Sequence, residues 1–207
     1  MPWYLCSLLV QLQKYILLGL GKPKKDEEKN KPNSTGIKIG TKIASTLINE
    51  KNTKKCTVVL PSSLDTSYAD IASAFYSALY ADTRFKGLKK NAKLPAEDLA
   101  SVAIHVEDDE DVSGINTGIN YGKAMAKGIY LTKDIVNAPH NILNSLGLAN
   151  VARRLAKESG GRITCQILGK KECETRGMGA FLGVARGSET EPQLIHLTYK
   201  PSGGKVK

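Results

Sequence analysis

The chain has 207 residues, 41% hydrophobic and 24% charged, which describes an ordinary soluble protein of one to two domains with room for a sizeable core. Its four cysteines, Cys6, Cys56, Cys165 and Cys173, form no C-x-x-C pair and lie at no short spacing from a histidine, which excludes a zinc knuckle and a disulfide framework and points to reduced thiols. The net charge of +10 is divided: 16 basic and 9 acidic side chains over residues 1–98, 3 and 6 over 99–139, and 11 and 5 over 140–207, so the lysines describe a solvated surface and not a nucleic-acid stripe.

Met1 to Val10 is apolar, but it has no positive flank and no small-residue cleavage site, and Gln11, Gln13 and Lys14 interrupt it. It is too short to span a bilayer and reads as a locally packed segment of a cytoplasmic protein. Tyr15 to Leu18 reads as a buried strand, followed by a charged, turn-rich loop from Lys22 to Asn33. Ser34 or Thr35 can cap a helix whose apolar face holds Ile39, Ile43, Ala44, Leu47 and Ile48. Cys56 to Leu60 is the next strand, and Tyr68, Ile71, Ala72, Phe75 and Leu79 mark one face of a second helix.

In the strand Leu99 to Val106, Val102, Ile104 and Val106 alternate with Ala103 and His105, which turns His105 away from the core. The acidic run Glu107 to Asp111 lacks the alternating ligands and central glycine of a calcium loop and reads as a solvated turn. Ile115 to Val136 forms one long helix, ended at Asn137-Ala138-Pro139 because proline disfavours helix in the residue before it. A second α/β run follows: a helix over Ser145 to Glu158 stopped by Gly160-Gly161, a strand over Arg162 to Leu168, a short helix over Lys170 to Arg176 and a strand over Gln193 to Tyr199. The alternation of elements predicts an α/β layer fold with a largely parallel sheet.

Chemistry-bearing motifs are few. Gly177-Met-Gly179-Ala-Phe-Leu-Gly183 imitates a dinucleotide fingerprint, yet its third glycine is one residue late and it follows a helix instead of a strand, so it reads as a packing turn. His105, His140 and His196 lie on separate elements, and no Gly-x-Ser-x-Gly nucleophile elbow occurs.

Asp134-Ile-Val-Asn-Ala-Pro139, the helix Asn150-Val-Ala-Arg-Arg-Leu-Ala156, Gly177 to Ser188 and Pro192 to Tyr199 resemble, in order and spacing, the start of the catalytic domain in leucine (cytosol) aminopeptidases. Ile16 to Gly21, the first two helices and Leu99 to Val106 are similar to that family's N-terminal α/β domain, which resembles macro domains. The resemblance covers residues 14–207 and is strong from Gly118 onward. It implies a macro-like α/β domain over 14–113 after an unmatched segment 1–13, a bridging helix over 114–139, and the incomplete start of an α/β metallopeptidase domain over 140–207.

The implied activity is release of N-terminal amino acids from peptides by two divalent ions, zinc or manganese, that activate a water, in a homo-oligomer that is hexameric in the family. In the family, the segment matching Tyr199 to Lys207 leads on to the lysine and aspartate of the metal pair, the catalytic lysine, further carboxylates and an arginine. None of those positions occurs here, so the expected catalytic, cofactor-binding and metal-ligating residues within the chain are none, and the chain alone is expected to bind no metal and to be inactive. The family's extra strands before Gly-Leu-Gly21 also have no match in Met1 to Gln13. The competing reading is a basic macro-like module that binds a nucleotide or nucleic acid, resting on fold analogy alone; neither a membrane nor a nucleic-acid partner is expected.

Overall fold

A computed structural model describes residues 14–19, 34–50, 53–61, 64, 66–85, 96–106 and 111–201. The readings of residues 1–13 and of the loop 22–33 fall outside the described residues, as do Glu107 to Glu110 of the acidic run. The elements in order are α1 (Ser34–Asn49), β1 (Lys55–Val59), α2 (Tyr68–Ala78), β2 (Ser101–His105), α3 (Val112–Asn137), α4 (Ser145–Glu158), β3 (Ile163–Leu168), α5 (Lys170–Thr175), α6 (Gly179–Ala185) and β4 (Leu194–Tyr199). They fall into two units, one drawn from Met1–Thr83 and Leu88–Tyr130, the other from Arg84–Gly87 and Leu131–Lys207, with the division inside α3.

In the first unit, Ile39, Ile43, Ala44 and Leu47 of α1 close on Ile71 and Phe75 of α2, which is the burial that the 3.6-residue spacing requires. Glycine lets the backbones approach: a β-carbon at Gly40 would collide with the Ile71 carbonyl of α2, and one at Gly122 of α3 with the Ala69 carbonyl. Strands β1 and β2 are parallel, with Lys55 opposite Ser101 and Val59 opposite His105, and α2 lies in the crossover between them. Cys56 and Val58 pack toward the core with Val102, while the alternate residues, His105 among them, face outward as expected.

Three expectations fail in this unit. Tyr15 to Leu18 forms no strand and pairs with none among the described residues; Leu17 is 98% exposed and only Leu18 packs against the core. An apolar run supplies burial potential but no partner edge, and a strand needs both. The second failure concerns α3, which starts at Val112 instead of Ile115, because Asp111 caps it: its Oδ1 accepts from the Gly114 N–H at 3.0 Å and its carbonyl from the Ile115 N–H at 3.0 Å. Helix α1 likewise begins at Ser34 itself, which puts Ser34 and Thr35 inside its first turn and not at a cap.

In the second unit, Asn144 caps α4 by accepting from the Gly147 N–H at 3.0 Å, and Ser159 ends it before Gly160 and Gly161 at φ +63° and +87°. Strands β3 and β4 are antiparallel, with Ile163 opposite Tyr199, Cys165 opposite Leu197 and Ile167 opposite Ile195. The largely parallel sheet is therefore corrected to one parallel and one antiparallel pair among the described residues. Period-two alternation is the same for either direction, so it could not decide this.

Candidate functional site

The first unit holds a cleft of about 490 Å³ at the carboxyl end of β1, beside the starts of α2 and α3, the place where open α/β layers bind ligands. Leu60 and Pro61, Thr66 to Ala69, and Asp111, Gly114 and Gly118 are among the residues that line it. Two helix N-termini here would suit an anion, but the chain's own side chains already use them. Ser67 Oγ accepts from the Asp70 N–H at 3.2 Å, and the Asp111 carboxylate occupies the mouth of α3, where its charge opposes a phosphate. Thr66 Oγ1 is buried with no hydrogen-bond partner among the described residues. A second cavity of about 350 Å³, lined by Ile43, Ile71, Phe75, Val102, Ile104 and Ile119 with Lys123, is largely apolar.

The histidines stand on separate segments. His105 is on the outer face of β2, His140 is exposed after α3, and His196 stands on β4 with its Nε2 3.4 Å from Thr198 Oγ1. Burial raises the Cys56 thiol above its ordinary value of 9.0, and Cys173 is buried with its Sγ 3.8 Å from the Leu168 carbonyl. These are packing environments, the opposite of the electropositive surroundings that activate a thiol.

Among the described residues, no group of three or more His, Cys, Asp or Glu side chains converges so as to hold a metal ion. A pair of divalent ions requires several such ligands around each ion, so the described donor set does not fit it.

The Gly177 segment is a helix stop. Gly177, at φ +68°, donates its N–H to the Glu174 carbonyl, and the Met178 N–H reaches the Cys173 carbonyl, both at 3.0 Å. These are the paired bonds of a Schellman ending to α5, and α6, a helix the sequence reading omitted, starts at Gly179. The segment follows helix α5 and not a strand, so it lacks the strand-to-helix turn that a dinucleotide fingerprint demands.

Several ordering contacts carry no periodic signal. The Tyr130 hydroxyl donates to the Tyr76 carbonyl, its ring stands edge-on to Tyr80 at 5.1 Å, and burial, then the neighbouring Tyr76, push its pKa up. In the second unit, the Arg84 guanidinium donates to the Asp134 carbonyl at 2.8 Å and pairs with its carboxylate at 3.2 Å. Ser145 Oγ donates to the Glu191 carbonyl at 2.6 Å, which holds the start of α4 to the approach to β4.

Residues 130–207 match the model of the cytosol aminopeptidase family, catalytic domain. The chain is 33% identical over 197 residues, 94% of its length, to a probable cytosol aminopeptidase of Trichodesmium erythraeum, and 34% over 204 residues, 95% of its length, to that of Nostoc punctiforme. Its fold superposes on a tomato leucine aminopeptidase variant with a TM-score of 0.74 at 25% identity, over 92% of this chain and 36% of that one. The bottromycin maturation enzyme BotP, solved in complex with Mn, shares the fold at a TM-score of 0.64 and 19% identity, over 81% of this chain and 34% of that one.

Fold and likenesses together define an α/β chain of a peptidase family. The chain belongs to the cytosol aminopeptidase family. It spans 36% and 37% of the lengths of the Trichodesmium and Nostoc relatives.

Proposed function

We propose that these residues form the framework part of a leucyl aminopeptidase, a metal-dependent exopeptidase that removes N-terminal amino acids from peptides, and that they do not perform the reaction by themselves. The catalytic-domain match over residues 130–207 carries this reading. On it, residues 14–113 are an N-terminal macro-like domain, 114–139 the bridging helix and 140–207 the opening layer of the catalytic domain.

Divalent ions supply water activation in this reaction class; the reading puts their ligands, and the catalytic side chains, outside the present residues. The antiparallel β3 and β4, with α4 capped at Asn144 and held through Ser145, then serve to position the remainder of a catalytic layer. A cytoplasmic setting and homo-oligomeric, hexameric assembly belong to the same proposal. The relatives are named cytosol aminopeptidases, and no described helix is long and apolar enough to cross a membrane.

Calorimetric titration of the purified chain with Mn²⁺ tests the assignment of the ligands. The expected result is no saturable site at micromolar concentrations. Two equivalents bound in that range would put the ligands within these residues and overturn the reading.

A further inference from the structure

We draw no further inference here: the strongest candidate, the exposed and uncharged face of α3 around Tyr121, Ala124 and Met125, is a helix face unpartnered among the described residues, and nothing in the structure shows what covers it.

Discussion

Glycine shows how much one missing methyl group decides. Alanine normally stabilises a helix interior by about 1 kcal/mol relative to glycine. At Gly40 and Gly122 the new β-carbon meets a backbone carbonyl of α2, which cannot rotate away as a side chain could. Gly40→Ala and Gly122→Ala should therefore lower stability by about 1–3 kcal/mol, the usual cost of overpacking. Gly128→Ala, where a β-carbon meets nothing within 4 Å, should raise it by up to about 1 kcal/mol. Urea unfolding of the three variants checks the contrast, and a uniform response would refute the close approach of the helices.

Cys56 adds a pH dependence at the same scale. Burial favours its neutral thiol, so its folded-state pKa lies above the unfolded value. Its contribution is complete below about pH 9, the ordinary thiol value, and falls as the pH rises through the folded pKa, because the unfolded chain ionises first. Thermal melts between neutral and alkaline pH should show this loss, and Cys56→Ala should flatten it.

At the scale of elements, the sequence was legible wherever apolar spacing and a stop signal coincide. Helix α4 has the expected bounds because its periodic face is followed by Gly160 and Gly161, and β1, β2 and β3 lie within a residue or two of their expected ends. The errors have distinct causes. Asp111 stands where a cap belongs but closes an acidic run that hides it, and α3 starts three residues before the expected Ile115. Helix α6 is short and glycine-flanked, which leaves almost no periodicity to read.

The cap gives a direct test. Asp111→Ala should cost about 1 kcal/mol, whereas Asp111→Asn, which keeps a capping oxygen, should cost little. Chemical denaturation separates the two, and equal losses would mean that the Asp111 charge acts in some way other than capping.

The sheet has its own consequence. Leu197 and Tyr199 on β4 are 42% and 60% exposed although they stand opposite apolar residues of β3. Exposed apolar surface of this kind promotes association. Light scattering should show concentration-dependent aggregation of the chain, reduced by Leu197→Lys combined with Tyr199→Lys.

For the whole molecule, function was legible mainly through resemblance. Residue spacing alone identified an α/β protein with no recognisable chemical motif, because a framework needs packing and caps, which are common to many folds. The family became visible in the ordered strings around Asp134 to Pro139 and Gly177 to Tyr199, and the family match over 130–207 includes both. Long-range contacts such as Arg84 with Asp134 and Ser145 with Glu191 join residues 50 and 46 positions apart, and no local pattern announces them.

The measurement that bears most directly on the framework role is hydrolysis of leucine amide by the purified 207-residue chain with added manganese or zinc. Alongside it, a chimera would be assayed in which the chain continues into the remainder of the Nostoc relative's catalytic domain. Turnover by the chimera alone, abolished by a chelator, is the predicted outcome. Chelator-sensitive turnover by the short chain would contradict the account, since it would require metal ligands and catalytic groups among these residues.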